Sequence, residues 1–289
     1  MNSKETVMGK KLLWIAVTLL VVSGSPALSS GIAKKERPIQ GKTDNMSANK
    51  GIKITVIYDN NPYEEGIETA WGFSCLITGT DRTILFDTGG DGSRLLKNMG
   101  KLGIRPGKID IVVLSHIHED HTGGLRSILE RNPNVIVYFP KSFPESFKNG
   151  VKRYGTKMVE VQEPLKICEN VYSTGELGTW IKEQSLIIKT EKGIIVITGC
   201  AHPGIAEIVK RAKDLIDDDV LFVIGGYHLG DKNKEDMENI LSELRHLAVR
   251  YVGPCHCTGR FATEIFKKAY GENFMRVGVG RVITLKDLK

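Results

Sequence analysis

Apolar residues in this chain fall into short, uninterrupted runs separated by polar and glycine-rich breaks. The runs at 52–58, 73–78, 83–86, 109–114, 135–139, 186–189, 194–198, 220–224, 251–252 and 281–285 are rich in β-branched residues. Their length and composition predict strands. Helical spacing appears at 93–99, 125–131, 205–215, 234–247 and 263–270. The runs 111–114 and 194–197 lack polar alternation, which predicts strands covered on both faces. Layers of sheet with helices outside follow, an α/β architecture. With no internal repeat and no second linker, residues 51–289 read as one domain. Two segments read as loops that shape a pocket: 60–71, and 139–180 as a lid.

The first fifty residues read differently. Lys4, Lys10 and Lys11 precede an apolar run at 12–22, and the small residues Ser23-Gly24-Ser25-Pro26-Ala27 follow. This is the layout of an export signal over 1–27, with cleavage near Ser25 and Ala27 or near Gly31 and Ala33. The alternative is an N-terminal anchor that is never cleaved, although the run is short for a membrane span. No cysteine follows the run, which argues against a lipoprotein anchor. Residues 28–50 are polar and read as a disordered linker. The expected location is therefore periplasmic or extracellular, with membrane contact only through an uncleaved N-terminal segment.

Charge adds little once it is located. The formal charge of +6 divides into +5 over residues 1–50 (eight Lys/Arg against three Asp/Glu) and +1 over the rest (32 against 31). The globular part is near neutral, so no nucleic-acid partner is expected. A chain of 289 residues with 41% hydrophobic content can bury a full core. Its five cysteines leave an odd one even if the others pair. Cys75 and Cys168 lie in apolar runs and read as core; Cys255 and Cys257 flank His256, too close for an ordinary disulfide. No disulfide framework is read, and composition leaves the oligomeric state open.

The candidate chemistry gathers at strand ends. His116-Ile117-His118-Glu119-Asp120-His121 packs three of the seven histidines into six residues after the run 109–114. At a strand's end His116 and His118 point the same way, and Asp120 and His121 can face that space from the turn. Imidazoles with a carboxylate suit a borderline cation such as Zn²⁺. Asp87-Thr88-Gly89-Gly90 ends another run, where Asp87 reads either as a turn former or as a site residue. Gly199-Cys200-Ala201-His202 ends a third run, with His202 read as a ligand and Cys200 as either core or ligand. If strand geometry continues there, the two share a face. His228 and His256 follow the runs 220–224 and 251–252, whereas His246 reads as a surface residue inside a helix. Six of seven histidines thus lie at one edge of the predicted sheets, where layered α/β folds build sites.

The segment His116–His121 resembles the His-x-His-x-Asp-His signature of the metallo-β-lactamase superfamily, and the resemblance extends to Asp87 and the later histidines. It implies a four-layer αβ/βα sandwich over residues 51–289 with one or two metal ions along one edge. Gly199–Ile205, Gly225–Leu229, His256–Gly259, 172–176 and 277–280 are similar to a narrower branch. That branch is named for 7,8-dihydropterin-6-methyl-4-(β-D-ribofuranosyl)aminobenzene-5′-phosphate synthase. The resemblance implies that His116 and His118 bind the first ion, that Asp120, His121 and His256 bind the second, and that His202 completes the set. A bridging Asp is usual where this chain carries Cys200, so Cys200 either takes that place or leaves the second ion weaker or absent. The resemblance leaves His228 for substrate binding or proton transfer.

The expected cofactor is Zn, one or two ions, with Mn or Fe as alternatives. The expected activity is metal-dependent hydrolysis, in which a metal-bound hydroxide attacks an ester, phosphoester or related small molecule, phosphorylated or not. Asp120 would orient the nucleophile and carry a proton, and His228 would serve the leaving group. Two alternatives stand beside it: dihydropterin-related C–N bond formation with release of pyrophosphate, and a non-catalytic metal-binding protein.

Overall fold

A computed structural model describes residues 51–289; the expected export segment at 1–27 and linker at 28–50 lie outside the described residues. The chain opens with β1 (Lys53–Tyr58), β2 (Ser74–Thr78), β3 (Ile84–Phe86), β4 (Ile111–Val113), β5 (Ile136–Pro140) and β6 (Lys157–Val161). It continues with β7 (Leu165–Cys168), β8 (Val171–Ser173), β9 (Leu186–Thr190), β10 (Gly193–Thr198), β11 (Val220–Gly226), β12 (Tyr251–Cys255) and β13 (Val282–Thr284). Seven strands form one sheet in the order β13-β1-β2-β3-β4-β5-β6, and six form the other in the order β12-β11-β10-β9-β8-β7. The helices are α1 (Gly92–Lys101), α2 (Glu119–Thr122), α3 (Leu125–Arg131), α4 (Glu145–Lys152), α5 (Ile205–Ile216), α6 (Lys234–His246) and α7 (Arg260–Tyr270).

Successive residues of β4 show how the layers arise. Ile111 and Val113 pack between the sheets with Ile195, Ile197, Phe222 and Ile224. Val112 and Leu114 point the other way, onto Leu95, Met99, Ile128 and Leu129 of α1 and α3. In β10, Ile195 and Ile197 face the inter-sheet layer, while Ile194 and Val196 meet Ile205, Ile208 and Val209 of α5. Period-two alternation between two apolar layers explains the unbroken apolar runs. Each large side chain so buried contributes about 1.5–3 kcal/mol. The result is a four-layer αβ/βα sandwich, the architecture expected from the sequence.

Register then fixes where the loops emerge. In the parallel pair β3–β4, Phe86 lies opposite Val113. Thr198 of β10 lies opposite Gly225, and Gly226 of β11 opposite Cys255 of β12. Parallel strands in step deliver their carboxyl ends to one edge. The segments after β3, β4, β10, β11 and β12 therefore open onto a common space.

One expectation is corrected. Residues 139–180 are not a lid: they contain α4, β6, β7 and β8. β6 is an edge strand whose residues are mostly exposed or half-buried, so it carries no long apolar run for the pattern to reveal. Only the last part, around 174–182, is a loop beside the strand ends, tied by the bridge between Leu177 and Glu183. Among the described residues no helix is long and apolar enough to cross a membrane.

Candidate metal centre

The strand-end residues meet. His116 Nε2 lies 3.1 Å from His118 Nδ1, and the His202 ring centroid lies 4.8 Å from that of His116 and 4.9 Å from that of His118. His202 Nε2 is buried and has no hydrogen-bond partner among the described residues. Beside this group, His121 Nε2 and His256 Nε2 are 3.2 Å apart, and Asp120 Oδ2 lies 3.2 Å from His256 Nε2 and 3.6 Å from His121 Nε2. Cys200 Sγ is 3.2 Å from His121 Nε2. Tetrahedral bonds of about 2.0–2.1 Å place neighbouring donors about 3.3 Å apart, so these spacings fit ligands around a cation.

The far side of each ring settles which nitrogen is free. Asp87 accepts from Ser115 N and Ser115 Oγ, both at 2.7 Å, and its Oδ2 lies 2.7 Å from His121 Nδ1. His121 Nδ1–H thus donates to Asp87, leaving the Nε2 lone pair toward the site. Ser115 Oγ has spent its proton on Asp87, so it accepts from His116 Nδ1 at 2.9 Å. His256 Nδ1 donates to Asn60 Oδ1 at 3.1 Å. Three rings are therefore tethered at Nδ1 with Nε2 facing one another, an arrangement that repels unless a cation lies between them. Candidate residues for one ion are His116, His118 and His202, and for a second Asp120, His121 and His256.

Electrostatics favour neutral, ligand-ready imidazoles at His116, His118 and His202. Burial, with repulsion from neighbouring rings, pushes His116 well below its ordinary pKa. Burial also lowers His118. Burial and the His228 and His118 rings bring His202 down to about 4. For His121 burial pulls down, but the Asp87 charge and hydrogen bond win and raise it. Burial would raise Asp120, yet the adjacent His256 and His121 rings bring it to about 2, so it stays a carboxylate.

Cys200 and His202 do converge with His228, but not because strand geometry continues. Ala201 adopts φ +59°, and the turn it makes redirects the chain. Asp87, His228 and His256 also have positive φ, at 55°, 49° and 48°, a concentration of costly backbone expected where a site over-determines it. His228 is exposed, with its ring 4.4 Å from that of His202. His246 lies on the surface of α6 and takes no part.

Four residues at the site escaped the sequence reading. Glu183, fully buried, accepts backbone N–H bonds from Gly199 (3.1 Å), Cys200 (3.0 Å), Ala201 (2.9 Å) and His202 (2.9 Å). It sculpts the turn that carries Cys200 and His202. The signal was a charged residue three positions before β9, whose first three residues, Leu186, Ile187 and Ile188, are apolar and buried. Ser115 and Asn60 orient rings, and neither residue type announces that role. Cys257 lies with Cys200 and His256, their ligand atoms within 4.8 Å of one another. Gly199 is required for close approach, because a Cβ there would lie 2.1 Å from Ser115 Oγ.

A cavity of about 490 Å³ opens beside His202, lined by Gly178, Thr179, Trp180, Ile181, Pro203 and Glu207. Trp180 is 93% exposed, and Trp71 tilts against the His256 ring at 4.9 Å.

The model of the metallo-β-lactamase superfamily matches residues 72–206. A 7,8-dihydropterin-6-methyl-4-(β-D-ribofuranosyl)-aminobenzene-5′-phosphate synthase of Methanocaldococcus jannaschii is 31% identical over 84% of this chain and 98% of its own length. A solved structure described as a metal-dependent hydrolase of the β-lactamase superfamily superposes with TM-score 0.68 at 30% identity, covering 80% of this chain and 98% of that one. A diphosphatase of the PhnP family shares the fold, with TM-score 0.56 at 16% identity over 81% of this chain and 96% of its own.

Proposed function

This chain belongs to the metallo-β-lactamase superfamily, and from that premise we propose that it is a metal-dependent hydrolase of a small-molecule ester or phosphoester. The observation that supports this most is the convergence of two donor sets, His116–His118–His202 and Asp120–His121–His256, at the edge of an open cavity. Zn is the ion the donor chemistry favours, with Mn or Fe as alternatives. When bound, the metal supplies Lewis acidity and a nucleophilic water at neutral pH.

The chain's own residues supply the rest. Asp120, kept ionised between His121 and His256, orients the attacking water through its carboxylate. His228, raised above its ordinary pKa by its hydrogen bond to Cys257, stands beside His202 with its ring 4.4 Å away and would serve the leaving group as proton donor. Thr179, Trp180 and Ile181 form the wall that receives the substrate beside His202.

A second reading is favoured by one observation: the relative matched over nearly its whole length is named a synthase. On that reading the same site forms a dihydropterin-related C–N bond with release of pyrophosphate. The two separate by experiment. The purified chain is assayed for Zn, Mn and Fe, then offered phosphodiester, lactone and β-lactam substrates and, separately, a pterin diphosphate with an arylamine. Hydrolysis of a panel member that His116→Ala abolishes is the expected result. Protein without metal, together with a His116→Ala variant that remains active, rules the hydrolase reading out.

A further inference from the structure

We propose that Cys257 and Cys200 form a sulphur-rich donor set with His256, making the second metal position selective for thiophilic divalent ions. The proposal rests on the metal-binding part of the reading above and not on hydrolysis. Cys200 Sγ, a His256 ring nitrogen and Cys257 Sγ all lie within 4.8 Å of one another. Two sulphurs at about 2.3 Å and an imidazole at about 2.0 Å from a tetrahedral ion need separations of about 3.5–3.8 Å, inside that limit.

The placement of Cys257 has no packing explanation. Cys75 and Cys255 belong to the apolar layer between the sheets, whereas Cys200 and Cys257 do not. Consecutive residues of a strand face opposite ways, yet His256 and Cys257 share one site. The φ of +48° at His256 and the single 3₁₀ turn His256–Thr258 make this possible. Gly226, at the end of β11, seats the sulphur from behind: a Cβ there would lie 2.7 Å from Cys257 Sγ and 2.5 Å from Gly199 O. None of the five cysteines is in a disulfide; Cys257 Sγ donates weakly to Cys200 O at 3.8 Å and meets His228, and metal binding would take the place of the thiol proton that makes the first of these bonds. His256 belongs to this set and also to the Asp120–His121–His256 set, so the ion held by the carboxylate is within reach of the thiols. Thiolates select Zn²⁺, Co²⁺ or Cd²⁺ over the oxygen-seeking Mn²⁺ and Mg²⁺. Each thiol that binds also releases a proton.

Cobalt titration of the full chain tests this. The expected result is a near-ultraviolet sulphur-to-cobalt charge-transfer band, reduced by about half in Cys257→Ser and in Cys200→Ser, absent in the double variant and unchanged in Cys168→Ser. Preference for Zn²⁺ over Mn²⁺ should fall about tenfold or more in Cys257→Ser, in the range seen when a metal's supporting groups are removed. Cadmium-113 resonance of the wild-type protein, shifted into the thiolate range, gives the same answer without a variant. Cobalt bound with no charge-transfer band, or a band that Cys257→Ser leaves intact, overturns the proposal alone. Failure of the wild-type chain to bind cobalt or cadmium overturns it together with the metal-centred reading.

Discussion

The seven-stranded sheet delivers its candidate ligands on one loop, His116 to His121, directly after β4. The six-stranded sheet delivers His202, His228 and His256 singly, from the ends of β10, β11 and β12. Each sheet steadies its contribution with a buried carboxylate, but the two carboxylates work on different parts of the chain. Asp87 grips side chains, the Ser115 hydroxyl and the His121 ring, besides the Ser115 N–H. Glu183 grips only backbone, four successive N–H groups. A contiguous motif already has its residues together and needs its rings aimed. Scattered residues need the main chain itself bent into position before any ring can be aimed.

Removing Glu183 is the strongest way to break that contrast. Glu183→Ala leaves four buried N–H groups without an acceptor, each costing about 1–3 kcal/mol, so a loss of about 3 kcal/mol or more is expected in chemical denaturation. Metal stoichiometry should fall through loss of the His202-containing set. Glu183→Gln keeps one oxygen for three of the N–H groups and turns an NH₂ on the fourth, so its loss should be smaller. Equal stability of Glu183→Ala and wild type would remove the proposed division of labour.

Asp87→Asn is next. Asparagine tolerates the positive φ of 55° at this position, so the backbone should hold. The His121 Nδ1–H, however, would lose its acceptor and the ring its fixed tautomer. Metal affinity measured by competition with a chelator should fall about 10–100-fold with little change in melting temperature. A large fall in stability with unchanged affinity would show that Asp87 shapes backbone as Glu183 does.

Asn60→Ala probes a ring tether that crosses between the sheets, since Asn60 follows β1 yet holds His256 through Nδ1 and the main-chain oxygen. An affinity loss of about tenfold is expected, the low end of the range for such outer partners. No loss would mean that β12 and its 3₁₀ turn place His256 unaided.

The smallest effect concerns Asp59, fully buried at the end of β1, where burial pushes its carboxyl up to about 6. Its Oδ1 accepts from the backbone and side-chain nitrogens of Asn61, while Oδ2 has no hydrogen-bond partner among the described residues. A carboxyl raised in the fold stabilises it most below its unfolded pKa of 3.8, and that contribution is lost as pH rises through about 6. Asp59→Asn should therefore flatten the decline in stability between about pH 4 and 6. Melting temperature against pH for both proteins checks this, and parallel curves would show that Asp59 does not titrate in that window.

What could be read from the chain follows the same division as the site. The runs that alternate between two apolar layers, such as Ile111–Val113 and Gly193–Thr198, carry their own signal because both faces are buried. β6, β7 and α4 did not, because they lie at exposed margins where the apolar pattern thins. The cluster His116–His121 was legible for a local reason: strand and turn geometry bring those side chains together within six residues.

The amino-acid sequence by itself determined the layered α/β architecture, the strand-end position of six histidines and the donor types available to a metal. Only the tertiary structure decided how those donors are aimed and which unremarked residues aim them. Glu183, Asn60, Ser115 and Cys257 are distant in sequence from most of what they touch, and their residue types serve many roles elsewhere. Their function exists only once parallel strands in register bring the ends of β4, β10, β11 and β12 to one edge, because hydrogen bonds and ligand bonds depend on distances that only the packed sheets set.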